Sequence, residues 1–187
     1  IAIDDGPLAT WDQVRELPRG EIGEICVHGP TTTLAYVGRE KATAMAKIER
    51  RGLIWHRMGD TGYFDATGRL WYCGRKGHRV VLADRTLHTA PVEEIFNTHP
   101  GVRRTALVGI VQGRTVVPVL CVERWPTSRG NLNALWAELR ELGGRHDTTR
   151  DITTFLDHPS FPVDIRHNAK IGREKLTAWA QGKLGRA

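Results

Sequence analysis

The chain has 187 residues, 40% hydrophobic and 26% charged, which describes a globular protein long enough to bury a core. No apolar run approaches the length that a bilayer-spanning helix needs. A formal charge of +6 suits an anionic ligand, but Lys and Arg are scattered and no nucleic-acid-binding signature is present, so no nucleic-acid partner is expected.

The opening residues, from Ile1 to Pro7, carry no start Met and no apolar leader, and are expected to lie inside a longer protein. A turn around Arg19-Gly20 leads into a strand over residues 25–28, ended by Gly29-Pro30. A short helix is predicted over residues 39–48, with Ala42, Met45, Ala46 and Ile48 on its buried side. Residues 53–56 form the next strand. Gly59-Asp60 then sets a carboxylate beside a residue that lets the backbone turn sharply and a ligand come close. Tyr63-Phe64 and Leu70-Trp71-Tyr72-Cys73 read as a hairpin about Asp65-Ala66-Thr67-Gly68. Gly74-Arg75 follows at once, so the hairpin can hold Asp60 and Arg75 near each other at one end. A carboxylate accepts from a ribose diol, and a guanidinium donates to ribose or phosphate in a fixed fork. Taken alone, the same pattern also fits an ordinary hairpin.

A second unit is expected to begin near Gly77. Val80-Val81-Leu82 is strand-like and Asp84-Arg85 a turn. Thr89 is the expected N-cap of a helix that buries Val92, Ile95 and Phe96 and sets Glu93 and Glu94 against its dipole. Strands over residues 105–110 and 116–122 flank a turn at Gln112-Gly113-Arg114. Asn131 caps a helix with Leu132, Leu135, Trp136, Leu139 and Leu142 at helical spacing, stopped by Gly143-Gly144. A short strand is predicted over 161–165 and a last helix over 171–184, with Leu176, Trp179 and Ala180 inward. Helix and strand mix without strict alternation, which argues α+β. Lys170, on the loop expected to enter the last helix, carries a compact charge suited to a phosphate in transfer, though a solvated lysine has the same appearance. Cys26, Cys73 and Cys121 are odd in number and sit in apolar runs, as buried reduced thiols of a cytoplasmic protein would. The eight His show no metal-ligand spacing, and no metal-ligating residue is expected in this stretch.

Together, Gly59-Asp60-Thr61-Gly62-Tyr63, Gly74-Arg75, Pro91-Val92-Glu93-Glu94 and Asn168-Ala169-Lys170-Ile171-Gly172-Arg173 resemble, in order and separation, the C-terminal third of the adenylate-forming superfamily. That superfamily holds acyl-CoA synthetases, luciferases and peptide-synthetase adenylation domains. The resemblance covers essentially the whole chain. It implies an α+β fold in which residues 1–76 are the strand-rich end of a large AMP-binding domain. Residues 77–187 would then be a small mobile C-terminal domain. It implies that Asp60 binds the ribose hydroxyls of ATP and that Arg75 contacts the same ribose or phosphate. Lys170 would be the mobile lysine bridging carboxylate and α-phosphate, and Gly77 the hinge. ATP with magnesium is the implied cofactor, the phosphate loop and the magnesium ligand being expected earlier in a longer chain. The rest of that large domain is the implied partner.

Residues 71–80, 96–104 and 167–176 resemble one branch in particular, the β-lactone synthetases of bacterial long-chain olefin biosynthesis (OleC type). The implied substrate is a long-chain 2-alkyl-3-hydroxy acid, whose own hydroxyl attacks the activated carboxyl. Other enzymes of that pathway are candidate partners. Two departures stand out. Gly77 replaces the usual Asp or Lys of the hinge, and Ala83-Asp84 replaces a Ser-Gly pair that lines the passage for a pantetheine arm. A Cβ and a carboxylate there count against a CoA thiol. The alternatives are a long-chain fatty acyl-CoA ligase and, from another class, a non-catalytic binding module.

Overall fold

The structure, a computed structural model, describes residues 1–128, 130–164 and 167–185, and of residues 167–169 the backbone alone. The chain divides into two compact units, with the boundary between Gly77 and His78. Among the described residues no helix is long and apolar enough to cross a membrane.

The first unit holds β1 (Gly23–Val27), α1 (Glu40–Ala46), β2 (Lys47–Arg50), β3 (Leu53–Phe64) and β4 (Leu70–Arg75). All four strands are antiparallel, and the long β3 is their common centre. It pairs with β1 along one edge, and with β2 and then β4 along the other. The helix expected over 39–48 stops at Ala46, and none of its residues is buried. Ile48 is fully buried, but from β2, where it stands opposite Trp55. Branching at Cβ and a cross-strand aromatic partner favour the pleated ladder over one more helical turn.

The hairpin turn is tied by one side chain. Asp65 Oδ1 accepts from the N–H of Thr67, the Thr67 hydroxyl and the N–H of Arg69, at 2.7–2.9 Å. Its Oδ2 accepts from Arg69 Nε and Trp71 Nε1. These donors, the Trp71 indole first, hold the Asp65 carboxyl well below the usual carboxylate range. A depressed folded pKa gives stability that is full above the unfolded value of about 3.8 and is lost as pH falls through the lower folded value. D65N should therefore lower the thermal midpoint at pH 7, with the gap to the parent narrowing in melts run below pH 3.8.

The second unit holds β5 (Val80–Val81), β6 (Thr86–Leu87), α2 (Thr89–Asn97), β7 (Val102–Gln112), β8 (Thr115–Arg124), α3 (Leu132–Gly144), β9 (Thr154–Asp157), β10 (Val163–Asp164), β11 (His167–Ile171) and α4 (Arg173–Leu184). β7 and β8 form a long antiparallel hairpin, and β9 joins β8 in parallel. Alternate residues of this sheet serve two cores. Leu107, Leu120 and Val122 pack with Val92 and Phe96 of α2 and with Leu135 and Leu139 of α3. Ala106, Val108, Ile110, Val119 and Cys121 pack with Leu176 and Ala180 of α4. The architecture is α+β, as the mixed pattern of the sequence indicates.

Three expectations in this unit need correction. His88, not Thr89, is the residue before α2, and it makes no side-chain cap; Thr89 is buried inside the first turn. Glu93, expected near the start of α2 as a complement to its dipole, is buried with Thr89, Val92 and Phe96. Of the strand predicted over 161–165, only Val163–Asp164 is β structure, and Ile165 lies outside the described residues. Phe161 is buried in the α4-side core.

Candidate active site

The register of β3 against β4 sets Asp60 opposite Arg75. Directly opposed residues share a face of the sheet, so their side chains meet. Asp60 Oδ1 accepts from Arg75 Nη1 at 2.9 Å, and the same nitrogen lies 3.4 Å from the Met58 carbonyl. The pair bridges the two arms of the hairpin, as expected, but β3 runs on through Gly59-Asp60 where a sharp turn was expected. Gly59 keeps a positive φ of 67° inside β3, and a Cβ built there would lie 3.8 Å from Arg75 Nη2. Gly62 is tighter still, since a Cβ would stand 2.5 Å from the Trp71 carbonyl oxygen at the bulge where the register shifts. Behind them, the buried Thr61 hydroxyl donates to the Gly74 carbonyl at 3.0 Å. The glycines let the strands close up, and the closure fixes the ion pair.

The pair is spent on one side only. Asp60 Oδ2 and Arg75 Nη2 make no hydrogen bond among the described residues, and the Arg75 side chain is 54% exposed against 21% for Asp60. One carboxylate oxygen is left to accept from a hydroxyl, and part of a guanidinium is left to donate to an anion. That donor and acceptor set fits a sugar phosphate.

The residue after Arg75 is anchored in a way that the sequence did not reveal. Lys76 Nζ donates to Glu24 Oε2 at 3.1 Å and to the Asp4 carbonyl at 3.0 Å. Glu24 also takes Arg57 Nε and Nη2, in an ion pair with both side chains 1% exposed. Arg57 Nη1 continues to the Gly6 carbonyl at 2.7 Å. One buried carboxylate thus ties the Asp4-to-Gly6 segment, β1, β3 and Lys76 together. Gly77 follows directly, ending the first unit, and a Cβ there would meet nothing within 4 Å. Space does not demand a glycine at this position, which lies in a single 3-10 turn over Lys76–His78.

In the second unit, Lys170 lies exposed on β11, not on a loop, and β11 pairs with β10. Arg166 of the predicted approach lies outside the described residues. Ala83-Asp84 is exposed between β5 and β6, which the Leu82 N–H bond to the Arg85 carbonyl closes at 2.8 Å. The structure thus brings Asp60 and Arg75 together in the first unit and places Lys170 and Asp84 in the second.

The three cysteines are free thiols. Burial pushes Cys26 up to about 11 and Cys121 up to about 12, and raises Cys73 as well. Protonated thiols are poor nucleophiles, so these act as small apolar fillers. Among the described residues no three His, Cys, Asp or Glu side chains gather to hold a metal ion.

No family model matches the chain. An olefin β-lactone synthetase from Xanthomonas campestris pv. campestris is 55% identical over 189 aligned residues, covering 96% of this chain and 34% of that protein. The solved amide bond synthetase McbA from Marinactinospora thermotolerans superposes with a TM-score of 0.75 at 25% identity, covering 92% of this chain and 34% of its own. The o-succinylbenzoate coenzyme A synthetase of Bacillus subtilis, solved with ATP and a magnesium ion, gives a TM-score of 0.67 at 26% identity, over 87% and 32% of the two chains. The chain spans about a third of the length of the curated relatives that it matches. By sequence and by fold, it belongs to the adenylate-forming superfamily and has olefin β-lactone synthetases among its relatives.

Proposed function

We propose that this chain is the C-terminal portion of an enzyme that activates a carboxylate with ATP as an acyl-adenylate and closes a long-chain 2-alkyl-3-hydroxy acid into a β-lactone. In this reading residues 1–76 end the large AMP-binding domain, and residues 77–187 are the mobile domain that swivels at Gly77. Asp60 accepts from the ribose hydroxyls through its open oxygen, and Arg75 donates to ribose or phosphate. Lys170 delivers an ammonium to the α-phosphate, where charge builds as the substrate carboxylate attacks and pyrophosphate departs. ATP, bound with magnesium held outside this chain, supplies the adenylyl group. In the second step the substrate's hydroxyl oxygen bonds to the acyl carbon and loses its proton, while AMP leaves with the electrons of the bond to that carbon. Such an attack is intramolecular, so proximity compensates for a weak nucleophile. The remaining large domain and other olefin-pathway enzymes are the proposed partners, in the cytoplasm.

The observation that carries this reading is the half-open Asp60–Arg75 pair, in a chain 55% identical to an olefin β-lactone synthetase. The likeness to a coenzyme A synthetase favours a second reading, a fatty acyl-CoA ligase. The exposed Asp84 carboxylate weighs against it, since a thiol arm would have to pass a charge. The two separate in one assay. The full-length enzyme, given a long-chain 3-hydroxy acid and ATP without CoA, is expected to release β-lactone, AMP and pyrophosphate, read by mass spectrometry. A thioester formed only when CoA is added would select the ligase.

A further inference from the structure

Glu93 occupies a place where a carboxylate is costly, on the buried stripe of α2 between Val92 and Phe96. Its Oε1 accepts from the Leu107 N–H at 2.7 Å and from Arg173 Nη1 at 2.6 Å, and its Oε2 accepts from Arg173 Nη2 at 2.8 Å. Arg173 Nη1 also lies 3.3 Å from the Leu107 carbonyl. The two side chains are only 11% and 13% exposed. A bidentate fork therefore joins the first residue of α4 to α2 and to the outer edge of β7.

Lys170 stands just before this joint, at the exposed end of β11. Between them, the Gly172 N–H donates to the Pro162 carbonyl at 2.8 Å. The corner from β11 into α4 is thus held at its backbone and again at Arg173.

Closing the edge of β7 does not by itself call for an ion pair. Asn97 Oδ1 serves the Thr105 N–H at 2.8 Å, and Gln181 serves both backbone groups of Val111 at 2.8 and 2.9 Å. Both do so without charge. A buried ion pair adds little net stability over apolar residues of the same volume, but it fixes orientation.

We infer that Glu93 and Arg173 are positioning residues, holding the β11–α4 corner so that the Lys170 ammonium is presented from a rigid platform. This inference rests on the reading of Lys170 as the catalytic lysine. A displaced reacting group can lower a rate by roughly 100-fold. A loosened corner should therefore slow adenylate formation and spare the later step, for which Lys170 has swung away.

The test uses the full-length enzyme with E93Q, which keeps an acceptor for the Leu107 N–H, and R173K, which keeps the charge but not the fork. Two rates are measured, substrate-dependent ATP–pyrophosphate exchange and lactone release from supplied acyl-adenylate. Both variants are expected to lose roughly 10–100-fold in exchange kcat with KM for ATP little changed, and to consume supplied adenylate at near the parent rate. Equal losses in both rates would mark the pair as structural only, and unchanged exchange would remove any role; either result overturns the inference. K170A is run beside them. If it exchanges normally, the Lys170 reading itself falls; if it fails while E93Q and R173K exchange normally, only the clamp falls.

Discussion

K170A in the full-length enzyme is expected to lower the rate of ATP–pyrophosphate exchange by about 10²–10³-fold, the cost of removing one preorganised donor from the charge that develops in a transition state. Lys170 is exposed on β11, so its ammonium is not consumed by the core of its own unit. Removing an exposed ammonium costs the fold little, because surface ion pairs contribute about 0–1 kcal/mol. The thermal midpoint should therefore stay near that of the parent while exchange collapses. Lactone release from supplied acyl-adenylate should persist, since the proposed lysine acts only while the adenylate forms. K170R separates charge from shape. A guanidinium is bulkier and spreads its charge over a plane, so it should recover only part of the rate. Exchange unaltered in K170A would favour a non-catalytic module or another residue in the role.

The sequence made the site's chemistry more legible than its geometry. Asp60 and Arg75 could be brought near each other in advance because a hairpin about Asp65 to Gly68 joins its two arms, but the bulge that sets them directly opposite could not. What could not be read was that β3 continues through Gly59. A glycine before an aspartate signals a turn in most contexts, and here the ladders with β1 and β4 hold a positive-φ glycine inside a strand. Long-range pairing overrode the local signal. The same override moved Ile48 from helix to strand, and made Lys170 part of a strand where its surroundings read as loop.

The burial of Glu93 was obscured for a different reason. Thr89, Val92, Glu93 and Phe96 recur at helical spacing, so the stripe already placed the carboxylate inward. A place near the helix start equally suits the dipole, and the partner that decides, Arg173, lies far along the chain. The Glu24–Arg57–Lys76 knot was hidden likewise: each charge reads singly as a solvated surface residue, and only the fold supplies the partners. The knot fixes Lys76 to the first unit, one residue before the boundary that follows Gly77. In the proposed function that is where the swivel would lie.

D60A should lower kcat/KM for ATP by about 10²–10³-fold. Hydrogen bonds to a charged group are worth about 1.5–3 kcal/mol each, and every 1.4 kcal/mol is tenfold, so losing the acceptor for a ribose diol accounts for that range. The fold should be nearly indifferent, since a pair with Arg75 half exposed contributes about 0.2–1 kcal/mol. Kinetics and thermal melting should therefore part company. A sharper readout uses the sugar itself. The parent enzyme should prefer ATP over 2′-deoxy-ATP and 3′-deoxy-ATP, because Asp60 Oδ2 would lose a donor with either. In D60A the preference should vanish, as the group that counts the hydroxyls is gone. D60N keeps an oxygen but no charge and can turn its amide toward Arg75, so it should fall between the two. If D60A kept both its ATP kinetics and its discrimination against the deoxy analogues, the pair at the end of β3 and β4 would be an ordinary strand-end ion pair. The ribose would then be held elsewhere.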